Sequence, residues 1–144
     1  MALNLEYEFA YRDKPVIPLR LTAIPFSPTD VSITTEALLD TGADISLFDA
    51  ELALPLGIHF SDRWAYDVIA IGGTVQRIPR SEVHVSVLGV ADDYALVAQI
   101  WVGFVPGLAK TVGNLLGRNF LEHVDLGLHH DVFPARRRVY LGRV

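Results

Sequence analysis

Apolar and polar residues alternate along much of this chain with a period of two, which is the period of a half-buried β-strand. The alternation is clear over residues 3–9 and 83–88, and residues 31–35 are β-branched at almost every position, which favours the same conformation. A longer apolar run over residues 94–101 predicts a more fully buried strand. The whole pattern predicts strands over residues 3–9, 31–35, 45–48, 83–88, 94–101, 124–128 and 138–141.

Helical and turn signals are few and lie between the predicted strands. Asp49 can cap a short helix over residues 50–54, and a second short helix is predicted over residues 118–123, between two glycine-marked breaks. Proline and glycine predict turns at residues 25–30, 72–73 and 106–107. We therefore expect residues 1–144 to form a single, mostly-β domain that is closed or nearly closed, without a repeat or a linker.

Composition and charge narrow the possible functions. The 144 residues are 51% apolar and 20% charged, with 17 acidic and 12 basic side chains and a net charge of -5. A negative chain repels phosphate, so nucleic acid is not expected as a partner. The absence of cysteine excludes disulfides and thiol nucleophiles, and it fits a reducing compartment such as the cytoplasm. The longest uncharged run, residues 94–109, is shorter than the roughly 20 residues of a membrane-spanning helix, so we expect a soluble protein with no membrane partner.

The segment with the clearest chemistry is residues 36–44, Glu-Ala-Leu-Leu-Asp-Thr-Gly-Ala-Asp. An apolar strand there leads into Asp40, the turn that follows begins with Thr41 and Gly42, and a second apolar strand comes after it. The carboxylate is therefore expected at the tip of a rigid β element, where Gly42 permits a tight turn and the close approach of a ligand backbone. An ordinary turn with an exposed aspartate would show the same triplet, so this motif alone does not decide.

Two further segments favour a functional site. Residues 71–74 form an Ile-Gly-Gly-Thr turn, and residues 112–121 run from an apolar strand through Leu-Leu-Gly-Arg-Asn into the predicted short helix. Taken in order over residues 36–121, the three motifs resemble the active-site loop, the flap and the terminal helix of the retroviral-type aspartic proteases, or retropepsins. The resemblance implies an all-β, closed β-barrel-like acid protease fold with one short C-terminal helix, assembled as a two-fold homodimer.

The resemblance also implies roles for individual residues. Asp40, Thr41 and Gly42 would form the catalytic loop, with Asp40 as the carboxylate and Thr41 bonding across the dimer. Arg118 would be a buried structural arginine paired with Asp44. A peptide would bind as an added β-strand between the flap and the floor of the site. The residues implied in substrate binding are Leu38, Ala43, Asp44, Ile45, Leu47, Ile71, Gly72, Gly73 and Leu115.

The sequence holds one Asp-Thr-Gly, whereas peptide hydrolysis by carboxylates needs two acids, one as base toward water and one as acid toward the carbonyl. The near copy at residues 125–127 lacks the hydroxyl residue and continues as an ordinary strand. The second carboxylate would therefore be Asp40 of another chain in a homodimer. Two carboxylates a few ångströms apart share one proton, so activity on peptide or protein substrates is expected to be highest at mildly acidic pH.

Other functions stay open at this point. No metal or other cofactor is expected, because the five histidines lack the spacing of a metal site. A catalytically silent domain of the same fold could dimerise or bind peptides, and a monomeric β-barrel binding protein could use Asp40 as a turn residue. The chain also departs from the resemblance: the loop at residues 23–30 is long, the glycine pair at 72–73 stands alone, and the extension over residues 134–141 leaves the subunit interface open.

Overall fold

The computed structural model describes residues 5–23, 31–58, 75–88 and 96–143, and the backbone of residues 65–69. The predicted turns at residues 25–30 and 72–73 lie outside this part of the chain, as do residues 3–4 and 94–95 of two predicted strands. No helix in the described part is long and apolar enough to cross a membrane.

The described part of the chain contains ten strands and one helix. They are β1 (Tyr7–Ala10), β2 (Val16–Ala23), β3 (Ser32–Leu39), β4 (Ser46–Asp49), β5 (Ala65–Ile69), β6 (Val75–Val87), β7 (Val97–Val105), β8 (Leu115–Leu116), α1 (Arg118–Leu121), β9 (Val124–His129) and β10 (Arg138–Arg143), with single 3-10 turns at Ala50–Leu52, Leu108–Lys110 and Pro134–Arg136.

Six of these strands close into a barrel. Hydrogen-bonded neighbours run in the order β2-β3-β8-β4-β7-β6, and β6 pairs with β2 to complete the circle. β6 is 13 residues long and has different neighbours along its length. Its residues 83–87 pair with β2, whereas residues 75–79 extend into an antiparallel hairpin with β5. The mostly-β, closed fold predicted from the sequence is confirmed.

The barrel interior is filled by the apolar members of the period-two pattern. Leu19 and Leu21 on β2 are fully buried, and so are the residues that pair with them on β6, Val87 and Val85. Burial of a side chain of this size contributes about 1.5–3 kcal/mol of hydrophobic free energy. Because a slip of one residue would turn all of these side chains outward, the alternation fixes the register of the strands.

The two ends of the described chain form a second, three-stranded antiparallel sheet in the order β1-β10-β9. Val139 and Leu141 on β10 are fully buried, and they pair with Phe9 and Tyr7 on β1. The C-terminal extension therefore supplies the central strand of this sheet. β9, which follows α1 directly along the chain, lies at one edge of it.

Two local predictions are wrong in detail. The strand predicted to be more fully buried is exposed at Val97 and Gln99, because one face of β7 is turned to solvent there. Both faces of β7 are buried from residue 102 to residue 104. In this part β7 lies between β4 and β6, and α1 packs against the strand. The helix predicted over residues 50–54 is a single 3-10 turn. Asp49 caps it as expected, but the chain then turns away toward Gly57, which has a φ of 72°.

Candidate active site

Asp40 is the first residue after β3, and backbone bonds fix its position. Its N–H donates to the carbonyl of Leu116 over 2.9 Å, and the N–H of Gly42 donates to its Oδ1 over 2.9 Å. The Ala43 N–H donates to the Asp40 carbonyl over 3.3 Å, which closes a tight turn. The half-buried carboxylate is therefore held in one orientation by its own loop.

Thr41 and Gly42 form the tip of this turn and are exposed in the single chain. A Cβ added to Gly42 would lie 3.2 Å from Oδ1 of Asp40, which is tighter than most real contacts. Glycine at this position therefore leaves the carboxylate where the turn places it. The exposure of Thr41 leaves the tip of the turn open to contact from outside the chain.

Gly117 allows α1 to approach the chain that follows the Asp40 turn. A Cβ at this position would lie 2.4 Å from the carbonyl oxygen of Ile45 and 2.7 Å from that of Ala43. Because the two segments lie this close, the N–H of the next residue, Arg118, donates to the Ala43 carbonyl over 2.8 Å. The Leu-Leu-Gly-Arg-Asn motif and the Asp40 loop are thus joined directly through their backbones.

A buried hydroxyl reinforces this joint. Oγ of Ser46 accepts a bond from the N–H of Gly117 over 3.0 Å and donates to Oδ1 of Asn119 over 2.8 Å. The Asn119 amide donates onward to the carbonyl of Trp101 over 2.6 Å. This chain of bonds connects β4, α1 and β7 next to the segment that follows the Asp40 turn. The roles of Ser46 and Asn119 were not predicted from the sequence. The available signal was Ser46 itself, a polar residue inside the apolar strand predicted over residues 45–48.

Asn114 joins the segment before β8 to two other strands. Its Nδ2 donates to the Thr35 hydroxyl over 3.1 Å and to the Glu36 carbonyl over 3.0 Å, both on β3. Its Oδ1 accepts the N–H of Asp49 over 2.9 Å, at the end of β4. The Asn114 side chain therefore connects β3 and β4 to the segment before β8. This role was also not predicted from the sequence.

Asp49 anchors the loop that precedes β8. Its carboxylate accepts the N–H of Ala109 over 2.7 Å and the N–H of Glu51 over 2.9 Å. These two bonds, with a smaller contribution from the charge of Lys110, hold the pKa of Asp49 below its usual value, against the opposing effect of burial. The buried carboxylate is thus a structural anchor for this loop.

Three of the residues expected to line substrate pockets lie together. Leu115 on β8 pairs with Leu38 on β3 and with Leu47 on β4, and all three side chains are half-buried. Ala43 and Ile45, also half-buried, follow the Asp40 turn on the same segment. The structure therefore brings these five residues to the Asp40 loop, as an apolar surface beside its carboxylate.

Arg118 and Asp44 form the ion pair expected from the sequence, between the guanidinium Nη2 and the carboxylate Oδ1. The expected burial of the arginine is wrong for the single chain, in which the two side chains are 63% and 78% exposed. Arg118 is the first residue of α1 and points to solvent, whereas Phe120 in the same short helix is fully buried. An exposed pair of this kind contributes at most about 1 kcal/mol to stability.

Ile71, Gly72 and Gly73, the residues expected in the flap, lie outside the described residues. The strands on either side are described: β5 and β6 pair from Ala65 with Pro79 to Ile69 with Val75. An antiparallel hairpin therefore leads to this segment from both sides.

A family model of the retroviral aspartyl protease matches residues 11–129, which is most of the chain. The chain belongs to the retroviral aspartyl protease family. A comparison with curated proteins found no match to the sequence.

The region of this chain that the family model matches extends on both sides of the motifs at residues 36–121. It takes in β2 before the catalytic loop and β9 after α1. It begins after β1 and ends before β10. The two strands outside the family match are therefore the two that pair with each other at the ends of the described chain.

Proposed function

We propose that this retroviral aspartyl protease is an active endopeptidase that works as a homodimer, with one Asp40 from each chain. The observation that carries the proposal is the turn that holds Asp40. A half-buried acid lies at the end of β3, fixed by the Leu116 carbonyl and the Gly42 N–H, with Thr41 exposed beside it. A carboxylate held in this way is pre-organised for chemistry rather than for solvation.

The need for a second chain follows from the chemistry. The sequence supplies one Asp-Thr-Gly, and hydrolysis by carboxylates uses two acids in different protonation states. A two-fold axis near the exposed tip of the turn would bring two copies of Asp40 together. At such a distance both cannot ionise, so the pair would hold one proton at mildly acidic pH.

In the proposed reaction, the ionised Asp40 takes a proton from a water molecule as the water oxygen bonds to the scissile carbonyl carbon. The protonated Asp40 of the second copy gives its proton to the carbonyl oxygen, which forms a tetrahedral diol. Collapse of the diol breaks the C–N bond: the leaving nitrogen takes a proton from the carboxyl that had received one from water, and one diol hydroxyl gives its proton to the other carboxylate as the carbonyl forms again. The products are a carboxylic acid and an amine, and the two carboxyls return to their starting state.

The apolar cluster of Leu38, Leu47 and Leu115 supports a preference for hydrophobic side chains next to the cut. An extended peptide would lie along this surface as an added strand. Ile71, Gly72 and Gly73 would belong to the flap that covers it, and this role is supported by the antiparallel pairing of β5 with residues 75–79 of β6, the strands on either side of them.

The variant Asp40→Asn tests the proposal. Asparagine keeps the shape of the side chain but cannot accept a proton from water, so cleavage of a peptide library at pH 4–6 should fall by about 10²–10⁴-fold or more. Thermal unfolding and sedimentation should match the wild-type protein.

Asp13→Asn is the matched control, since Asp13 is exposed and lies in a loop before β2. It removes the same charge and should leave cleavage unchanged. A statine-type mimic of the tetrahedral diol should block the wild-type enzyme. Proteolysis that survives in folded Asp40→Asn protein would refute the assignment.

A further inference from the structure

The antiparallel hairpin of β5 and β6 is joined to the barrel through β6. β5 is the last strand in the order of hydrogen-bonded neighbours, and among the described strands it pairs with β6 alone. β6 changes its partner at one point, because Pro79 is the last residue that pairs with β5 and Arg80 is the first that pairs with β7. We call residues 79–80 the hairpin root.

The buried face of β6 changes at the same place. Ile78 is buried before the hairpin root, and Val83 and Val85 are buried after it. Ile78 and Val83 are an odd number of residues apart, so in a regular strand their side chains lie on opposite faces. Pro79, between them, has no N–H to donate to a neighbouring strand. A side-chain contact at the hairpin root can therefore influence how the hairpin is oriented on the barrel.

Arg80 makes such a contact with Trp101 on β7. Its guanidinium carbon lies 5.1 Å from the centre of the Trp101 ring, which is within the range of a cation–π interaction. Arg80 is opposite Gly103, and Glu82 is opposite Trp101, so Arg80 and Trp101 are diagonal neighbours on one face of the sheet. Because Gly103 has no side chain, the guanidinium has room to lie over the neighbouring ring.

Trp101 is itself connected to the hydrogen-bond network beside the Asp40 loop. Its carbonyl accepts the Asn119 amide over 2.6 Å, and Oδ1 of Asn119 accepts the Ser46 hydroxyl over 2.8 Å. The same hydroxyl accepts the N–H of Gly117 over 3.0 Å, where α1 lies against the chain that follows the Asp40 turn. Trp101 therefore contacts the hairpin root through its ring and the candidate site through its backbone.

We propose that Arg80 and Trp101 are positioning residues of this protease. Their contact holds the hairpin root in one orientation relative to the Asp40 loop, and the hairpin in turn determines how tightly an extended peptide binds. Neither side chain takes part in proton transfer. The proposal rests on the proposed function, in which residues 71–73, between β5 and β6, would cover the peptide, and it adds the contact that positions the hairpin.

Amide hydrogen exchange tests this contact without any substrate. Arg80→Gln keeps a polar side chain but removes the charge that the ring attracts, so the hairpin should open at its root more often. Exchange of the β5 amides, residues 65–69, should become about two- to fivefold faster, whereas exchange in β9 should not change. Arg80→Lys retains a cation, and its β5 exchange should be closer to that of the wild-type protein.

Arg136→Gln is the matched control, because it removes a second contact of the same kind. The Arg136 guanidinium carbon lies 5.0 Å from the centre of the Phe133 ring, between β9 and β10. Its loss should leave exchange in β5 unchanged. A double-mutant cycle isolates the proposed pair: in a Trp101→Leu background, Arg80→Gln should have no further effect on β5 exchange.

Peptide cleavage measures the effect on substrate binding. With one library peptide that the wild-type protein cleaves, Arg80→Gln should raise KM by about two- to fivefold and leave kcat within about twofold of the wild type. The reason is that the hairpin contributes equally to binding the peptide and its transition state. Arg136→Gln should change neither constant.

The outcomes separate this proposal from the proposed function. A protein that cleaves peptides, with wild-type β5 exchange and KM in Arg80→Gln, would overturn the positioning role and leave the function standing. A change in exchange without a change in KM, a change in KM without one in exchange, or a fall in kcat alone would also overturn that role. Faster β5 exchange in Arg80→Gln, in a protein that cleaves nothing, would support the contact at the hairpin root and count against the function.

Discussion

At the scale of single residues, the position of the Asp40 loop depends on the absence of a side chain at Gly117. Gly117→Ala would place a Cβ within 2.4 Å of the Ile45 carbonyl oxygen, and the two backbones would have to separate. We expect the free energy of unfolding to fall by about 1–3 kcal/mol, with loss of activity, as measured by urea denaturation and peptide cleavage.

Gly42→Ala is the informative comparison for that variant. Its Cβ would meet one carboxylate oxygen of Asp40 at 3.2 Å, and a side chain can yield where backbone cannot. Stability should stay within about 1 kcal/mol of the wild type while activity falls, because the carboxylate is displaced. Equal stability for the Gly117 variant and the wild type would contradict the role given to that contact.

The Ser46 hydroxyl offers a second test at this scale. Ser46→Ala removes the acceptor for the Gly117 N–H and a donor to Asn119 in a buried site. The cost should be about 1–3 kcal/mol of unfolding free energy, read from chemical denaturation. Ser81→Ala serves as control, since Oγ of Ser81 bonds the carbonyl of its neighbour Glu82 at 3.3 Å, and it should cost little.

The sequence revealed the residues of the site whose signal is local. Asp40 stands out as an acid between an apolar strand and a glycine turn, and the pairing of Asp44 with Arg118 followed from the family resemblance. Ser46 and Asn114 were missed because their partners are distant in sequence: Ser46 bonds Asn119, 73 residues away, and Asn114 bonds Thr35, 79 residues away. Nothing in a local pattern specifies such pairs.

At the scale of elements, the loop before β8 is held to the end of β4 by a charged group, and this connection should depend on pH. The pKa of Asp49 is lowered in the folded protein by the N–H bonds from Ala109 and Glu51. A lowered pKa means that the carboxylate stabilises the fold at pH values above its unfolded pKa of about 3.9, and that this contribution is lost as the pH falls through the folded value.

Asp49→Asn should therefore be less stable than the wild type at pH 6, and the difference should shrink as the pH is lowered toward 3. Urea denaturation at several pH values between 3 and 6 measures this directly. A constant difference across that range would show that the charge of Asp49 does not stabilise the loop.

Many of the strands were predictable, because burial on one face imposes a period of two, but β2 and β5 were not predicted from the sequence. Residues 83–87 and 124–128 fall within β6 and β9, and the predicted helix at 118–123 contains α1. The pairing of the strands was not predictable. β10 lies between β1 and β9, a result of tertiary packing around Val139 and Leu141 that no local pattern encodes.

At the scale of the whole molecule, α1 connects the Asp40 loop of the barrel with the terminal sheet, because it bonds to Ala43 and packs against β9. The N–H of Asp40 donates to the Leu116 carbonyl, Gly117 is the N-cap of α1, and two residues separate the end of α1 from the start of β9. The proposed function requires two chains for each site, because each chain holds one Asp-Thr-Gly. Activity and dimer formation should rise together as the protein concentration increases.

The most direct test of the two-chain site is a mixing measurement. Wild-type and Asp40→Asn chains are unfolded together, refolded at a fixed total concentration well above the dissociation constant, and assayed for peptide cleavage. If each active site needs Asp40 from both chains, random pairing at equal amounts leaves about one quarter of the wild-type activity. Activity that falls to one half, in proportion to the wild-type chains, would show that a single Asp40 suffices and would contradict the account.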